Sequence, residues 1–117
     1  MTEIITVVII AGVLASLVLP RYTGTIERAR SEEGVQILLT LLSAQMAYEF
    51  DTGSYSDDIT LLDVEIPAPK NFAVPVVDDV DPIASITRTG GYRLDITAAG
   101  VISCANVGAI ACATAGY

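Results

Sequence analysis

The chain has 117 residues, 52% of them apolar and 17% charged, and its 14 acidic and six basic residues give a net charge of −8. This length accommodates one small domain and an appendage. The excess of acid disfavours proteins that bind nucleic acid by neutralising phosphates, because those need clustered Lys and Arg. His is absent and Lys70 is the one lysine, so the chain lacks the residue on which most acid–base and metal chemistry depends. We therefore expect no enzyme, no cofactor and no nucleic-acid partner.

An uncharged apolar segment opens the chain. No residue between Glu3 and Arg21 is charged, and most are Ile, Val, Leu or Ala. As a helix this segment spans ~25 Å, close to the ~30 Å apolar core of a bilayer. A cleaved signal peptide has a basic first region, whereas the charge here is acidic. We expect residues 1–22 to form a transmembrane helix, with weak points at Gly12, which lowers helix propensity, and Pro20, which removes a backbone hydrogen bond.

The helical pattern continues as an amphipathic part over residues 23–52. Near its start, Glu27 can pair with Arg30 and Arg28 with Glu32 on a solvated surface, because residues three or four apart are neighbours on a helix. Gly53 is a stop signal. The whole helix would then be a rod of ~75 Å.

The middle of this amphipathic part is apolar on most sides. A surface helix normally shows one apolar face, but here two stripes have helical spacing: Val35, Leu38, Leu39, Leu42 and Met46, and Ile37, Leu41, Ala44 and Tyr48. One stripe can pack on the rest of the chain. The other needs a second partner, for which another copy of the chain is the nearest candidate. The alternative is a central core helix.

The remainder predicts a connecting loop over residues 53–71 and a small β-rich head over residues 72–117. Pro75 favours an edge position for the first strand, because Pro cannot donate to a sheet. The predicted fold class is α+β, with the long helix packed on an antiparallel meander of three or four strands. The strand signals cover residues 72–77, 84–88, 92–97 and 101–105.

The start of the chain resembles the N-terminal region of bacterial type IV pilins and pseudopilins. The shared pattern is an acid, Glu3, that opens the apolar run, then Gly12, and Pro20 that closes it. Residues 48–55, with the sequence YEFDTGSY, also resemble the end of the long pilin helix. The first 22 residues and this second segment carry the resemblance.

The resemblance implies a subunit that waits in the inner membrane with its head in the periplasm. A leader peptidase trims such proteins, the new N-terminus is usually methylated, and pilus assembly machinery builds the subunits into a helical surface filament. The implied partners are copies of the chain, the inner membrane, the peptidase and that machinery. Glu3 would pair with the amine of a neighbouring subunit, since a carboxylate on an apolar rod is costly to bury alone. The alternative places Glu3 unpaired at the level of the lipid headgroups.

The position of Glu3 departs from the family pattern. In the family this acid usually stands two places further from the mature N-terminus. Either Met1 is the processed and modified residue, or the native N-terminus lies two residues upstream, and the second is our hypothesis. The difference moves the amine by ~3 Å along the helix.

Cys104 and Cys112 are the only cysteines. We expect them to form a disulfide, as in the C-terminal loop of many type IV pilins. A metal pair would need four ligands, and a redox pair would have the C-x-x-C spacing. A disulfide implies an oxidising compartment.

The acidic run Asp78-Asp79-Val80-Asp81 invites a calcium hypothesis, because hard cations prefer carboxylate oxygens. The spacing matches no EF-hand, and we expect a solvated acidic loop without a metal. Major pseudopilins often carry calcium in a C-terminal loop and a Trp-containing stretch, and this chain has no Trp.

Three functions are consistent with the sequence. The first is the major subunit of a type IV pilus, which the disulfide loop and small head favour. The alternative is a pseudopilin of a type II secretion system. The second alternative is a membrane-anchored binding module that acts as a monomer, which the apolar middle of the helix disfavours.

Overall fold

One long helix is the main element of the fold, and the sheet packs on it. A computed structural model describes residues 1–17 and 24–117. Helix α1 runs over Thr2–Thr52, and the molecule measures 75 × 25 × 21 Å. The helix ends at Gly53, whose positive φ of 89° lets its N–H bond to the carbonyl of Glu49 at 2.7 Å. The predicted rod and its stop signal are confirmed.

The head is a four-stranded antiparallel meander in the order β1-β2-β3-β4. The strands are β1 (Val76–Val77), β2 (Ala84–Thr87), β3 (Arg93–Ile96) and β4 (Ile102–Ala105). The predicted α+β fold class is confirmed. The first strand is shorter than expected, because Phe72 forms a separate bridge to Arg88 and Pro75 interrupts the ladder between them. It does lie at an edge, as expected.

Two short 3₁₀ helices complete the head. The first, η1 (Ile59–Leu61), lies in the connecting loop, where Asp58 caps it by accepting from the backbone N–H of Thr60. The second, η2 (Cys112–Ala115), follows the disulfide loop and packs on α1. The helix is therefore enclosed by the sheet on one side and by the C-terminal segment on another.

The buried face of α1 is a single stripe with spacings of four and three residues. Its members are Glu27, Ser31, Gly34, Leu38, Leu41 and Gln45, with Ile37 beside them, and each is less than one-tenth exposed. The second predicted stripe does pack on the head, since Ile37 and Leu41 are buried and Ala44 and Tyr48 lie half-buried against the core. The buried face also includes three polar residues that neither predicted stripe contains, Glu27, Ser31 and Gln45. Leu39 and Met46, which belong to the first predicted stripe, are 39% and 47% exposed.

The core forms where this stripe meets the inner face of the sheet. Tyr92, Leu94 and Ile96 are fully buried there, and the rings of Phe72 and Tyr92 meet edge to face at a centroid distance of 6.3 Å. Gly34 permits this contact. A Cβ at that position would lie 2.9 Å from the Phe72 ring and 3.2 Å from Leu94.

Replacing Gly34 by Ala is expected to destabilise the head relative to the same change at Gly24. Both substitutions improve helix propensity by up to ~1 kcal/mol. The space at Gly24 is open, whereas overpacking at Gly34 costs roughly 1–3 kcal/mol. Thermal unfolding of the full chain in detergent compares the two variants, and equal melting temperatures would contradict this account of the close approach.

Cys104 and Cys112 form a disulfide, as predicted. It joins β4 to η2 and so ties the C-terminal segment to the edge of the sheet. Closing so short a loop stabilises the folded chain by ~2.5 kcal/mol in the chain-entropy description.

Thiol labelling of the purified and unfolded chain tests whether this bond is present in the protein that cells produce. Without reductant we expect almost no labelled thiol, and after reduction two per chain. Stoichiometric labelling before reduction would refute the bond.

Candidate functional site

The N-terminal segment exposes an unusual amount of apolar surface. Nine large apolar side chains between residues 4 and 17 are each more than half exposed. A contiguous apolar surface of this kind marks contact with lipid or with another protein. Glu3 lies in the first helical turn, where the helix dipole favours a carboxylate. Met1 is almost completely exposed beside it.

The predicted roles of these residues are untested and stay predictions. Within residues 1–17 and 24–117, no ion pair or hydrogen bond of the Glu3 carboxylate is formed. Gly12 is helical with open space around it. Pro20, the other predicted weak point, lies outside the described residues. In the part of the chain that the structure describes, no helix is both long and apolar enough to cross a membrane.

A buried ion pair joins α1 to the sheet. Arg88 Nε donates to Glu27 Oε1 at 2.8 Å, and the Tyr92 hydroxyl donates to the same oxygen at 3.0 Å. The Arg88 and Glu27 side chains are 10% and 7% exposed. Arg88 Nη1 also donates to the carbonyls of Asn71 and Thr89. Every strong donor and acceptor of the pair is thus engaged, the condition under which a buried pair is tolerated.

This ion pair corrects the expectation of a solvated helix surface at Glu27. The expected Glu27–Arg30 contact exists at 3.7 Å, but it is secondary to the buried pair with Arg88. No ion pair between Arg28 and Glu32 forms among the described residues. The sequence signal that could have shown this is the helical spacing of Glu27, which lies four residues before Ser31 and therefore on the same face of α1 as the other buried residues.

The network shifts the pKa values of its members. Burial raises the pKa of Glu27, but hydrogen bonds from Arg88 and Tyr92 and the charges of Arg88 and Arg30 outweigh it, so the net pKa lies below 4.5. Burial, followed by the hydrogen bond to Glu27 and its charge, raises the pKa of Tyr92 well above its usual value of 10. The network is therefore stable with Glu27 ionised and Tyr92 neutral.

A second polar contact fastens the far end of the head. Gln45 is completely buried, and its Oε1 accepts from the Ser56 backbone N–H at 2.9 Å. Its Nε2 donates to the carbonyls of Ser56 at 2.8 Å and of Asp78 and Ile83 at 3.2 Å each. One amide thus holds the connecting loop and the β1–β2 turn against α1. Sequence reasoning missed it because a lone Gln within an apolar stripe resembles a surface position.

The net charge is concentrated at the same end of the head. Nine of the 14 acids lie between residues 49 and 81, at the end of α1 and in the loops that follow it, and Lys70 is the one base in that interval. Several of these carboxylates are close together. A hydrogen bond with Asp78 and the charges of Asp78 and Asp57 raise the pKa of Asp79. The Tyr55 side chain is hydrogen-bonded to Glu49 and is also close enough to Asp81 to sense its charge. Two such ends repel each other, so contacts between copies favour other surfaces.

The acidic run 78–81 forms the turn between β1 and β2. Asp81 Oδ1 accepts from the backbone N–H of Ala98 at 2.7 Å, and Asp78 Oδ1 accepts from that of Val80 at 3.4 Å. A hydrogen bond with Asp78 raises the pKa of Asp79. The described residues contain no group of three candidate ligands placed to hold a metal ion.

The buried pair predicts a specific pH dependence. The Glu27 pKa is lowered by folding, so its stabilising effect is complete above about pH 4.5 and is lost as the pH falls through the folded value. Glu27→Gln should destabilise the chain by roughly 3 kcal/mol near neutral pH, because Arg88 is left buried without its counter-charge. The melting-temperature gap between wild type and variant should shrink as the pH falls from 6 to 3.

Glu32→Gln, at an exposed position of the same helix, is the matched control and should change the melting temperature little at any pH. A gap for Glu27→Gln that stays constant down to pH 3 would contradict the proposed linkage. At alkaline pH the raised pKa of Tyr92 makes the folded chain less stable as the pH increases. Stability declines above about pH 10, where the unfolded chain ionises first.

Two curated proteins resemble the chain. Type II secretion system core protein G of Klebsiella pneumoniae is 36% identical over 90 residues, which cover 77% of this chain and 58% of that protein. The protein of the same name from Pectobacterium carotovorum subsp. carotovorum is 42% identical over 53 residues, which cover 45% of this chain and 34% of that protein. The chain thus spans about a third to three fifths of the length of these relatives.

No protein-family model matches the chain, and no solved structure matches it. The two similarities, together with the long helix, the antiparallel meander and the disulfide, support the pilin-like family in its broad sense. They favour the pseudopilin alternative over the major subunit of a type IV pilus.

Proposed function

We propose that the chain is a pseudopilin, a filament subunit of a type II secretion system. The observation that carries this proposal is the similarity to core protein G across 77% of the chain. The fold agrees with it, since a long helix with an exposed apolar first segment leads into a small head. On this proposal the subunit is first held in the inner membrane with its head in the periplasm, where the Cys104–Cys112 disulfide is stable.

Assembly is supported by the physical chemistry of the first segment. Apolar side chains as exposed as those between residues 4 and 17 are stable only in lipid or in contact with protein. On this proposal the segment is covered by lipid while the subunit is in the membrane and by the helices of other copies after assembly. Glu3 is the group that opposes burial in such a bundle, so its proposed role is to pair there with the amine of a neighbouring copy. Leader removal and N-methylation belong to the same proposal.

A type IV pilus subunit is the second candidate. The C-terminal disulfide loop favours it, because many pilins close this region in the same way. Both candidates use the same helix, and they differ in the length and location of the filament.

Shearing the source cells separates the two candidates. Electron microscopy and mass spectrometry of the released fraction would show long thin fibres made mainly of this chain if it is a pilus subunit. We expect instead that the chain stays with the cell envelope and forms fibres only when it is overproduced together with the secretion machinery. Long fibres at natural expression would overturn the pseudopilin proposal.

Glu3→Gln tests the assembly role. The variant should insert into the membrane normally but yield at least tenfold less assembled material in the overproducing cells. Asp51→Asn changes a carboxylate at the exposed end of α1 and serves as the matched control. Equal assembly of the Glu3 variant and the control would show that Glu3 has no partner in the filament.

A further inference from the structure

The end of the head next to the first segment differs in charge from the opposite end, where the acids are concentrated. From residue 4 to residue 31 the chain has three bases, at positions 21, 28 and 30, and one acid, Glu27, which is buried in its pair with Arg88. Among the described residues, Arg28 and Arg30 are therefore the exposed charges nearest to the end of the apolar run. The next acids, at positions 32 and 33, lie further along α1.

Strand β2 points from the acidic end of the head towards the first segment. Just before this strand, the Ile83 carbonyl accepts from Gln45 at 3.2 Å, and just after it Arg88 binds Glu27 at 2.8 Å. Glu27 lies ~27 Å nearer the start of α1 than Gln45. The turn at residues 89–91, which follows Arg88, is therefore at the end of the head that faces the first segment.

The disulfide loop, residues 105–111, is fixed to this turn. The N–H groups of Ala109 and Ile110 both donate to the Gly90 carbonyl, at 3.0 and 3.3 Å. Loop and turn pack so closely that a Cβ at Gly108 would lie 2.7 Å from a backbone oxygen of the turn. The loop has no charged residue, and Val107 at its tip is 55% exposed.

We call these exposed groups together the proximal surface: Arg28, Arg30, residues 89–90 of the turn and residues 106–109 of the loop. It combines two bases with a small uncharged loop that has an apolar tip. Residues 82–117 contain one acid, Asp95, and that acid is paired with Arg93. The proximal surface therefore has the character of a protein surface that binds at the interface of an anionic membrane.

The length of the first segment sets the distance between the proximal surface and a membrane. As a helix, residues 4–20 span ~25 Å, and the apolar core of a bilayer is ~30 Å thick, so a headgroup layer of ~5–7 Å extends to about residue 26. Arg28 begins just above that level. Helical side chains tilt towards the N-terminus of their helix, and long basic side chains extend to the interface. Both arginines are thus within reach of the lipid phosphates.

We propose that the proximal surface rests on the headgroups of anionic phospholipids while the subunit is held in the membrane. This inference rests on the membrane-held state in the proposed function and adds a lipid partner for the head. Arg28 and Arg30 bind lipid phosphates, and Val107 enters the interface from the disulfide loop. The same negative surface repels the acidic end of the head. The head is therefore held in one orientation before assembly.

A single tryptophan reports this contact, because the chain has no Trp of its own. Val107→Trp places the fluorophore in the proximal surface. Val80→Trp is the matched control, since Val80 is 63% exposed in the β1–β2 turn at the opposite end. The full chain is inserted into vesicles of phosphatidylcholine, with or without phosphatidylglycerol, that contain a lipid with a nitroxide on its headgroup.

In the vesicles with phosphatidylglycerol, the nitroxide should quench the Val107→Trp variant at least threefold more strongly than the control. This difference should shrink in phosphatidylcholine alone and at high salt, because salt screens the attraction between the arginines and the lipid phosphates.

Charge variants of the Val107→Trp chain separate lipid binding from a change in the fold. Arg28→Gln with Arg30→Gln should lower the ratio of docked to undocked heads ~30-fold, since each base near an anionic surface contributes about a fivefold factor. Arg28→Lys with Arg30→Lys keeps the charge and should retain docking. Ala47→Glu with Val80→Glu makes the same change in net charge at the opposite end and should also retain it. All these variants should melt close to the parent chain in detergent.

Equal quenching of the two tryptophan variants, or docking that survives the loss of both arginines, would overturn the proposed contact. Quenching that appears only after a second envelope protein is added would overturn it too, because the proximal surface would then bind protein and not lipid. A chain that floats with the vesicles but shows equal quenching removes this inference alone. A chain that does not float with the vesicles at all contradicts the membrane-held state and with it the proposed function.

Discussion

The ion pair between Glu27 and Arg88 is the interaction on which the rest of the structure depends. It connects α1 to the residue after β2, with Arg88 Nε 2.8 Å from Glu27 Oε1. The hydroxyl of Tyr92, the residue before β3, donates to the same oxygen. Arg88 also holds the backbone carbonyls of Asn71 and Thr89. A small head has little apolar area with which to specify its orientation on a long rod. A buried pair with all its partners in place allows one register of helix and sheet, because any slip would leave a charge unpaired in the core.

Gln45 has the corresponding role about five turns further along α1. Its amide reaches three carbonyls and one N–H from segments that have no regular structure of their own. Between these two polar contacts the helix packs through Leu38, Leu41 and the bare backbone at Gly34. The head is thus fastened at both ends by hydrogen bonds and filled in the middle by apolar contact.

The same helix divides its remaining surface by charge. Its first segment is apolar and exposed, its middle has an exposed side without charge, and its end is surrounded by carboxylates. In a single copy the first two surfaces have no partner within the described residues, whereas the acidic end is well solvated.

The sequence alone determined the elements whose signals are local. The apolar run after Glu3, the stop at Gly53 and the alternation around Tyr92 depend on helix and strand periodicity and on turn residues. The long helix and an antiparallel meander of three or four strands follow from them. The disulfide was also accessible, because two cysteines allow one pairing. Only the tertiary structure decided which side of α1 is buried. Glu27, Ser31 and Gln45 are polar in the sequence, and they enter the core only because Arg88, Tyr92 and backbone groups from distant segments reach them. Periodicity records the hydrophobicity of a residue but not the partner that compensates its burial, and that partner lies as many as 65 residues away.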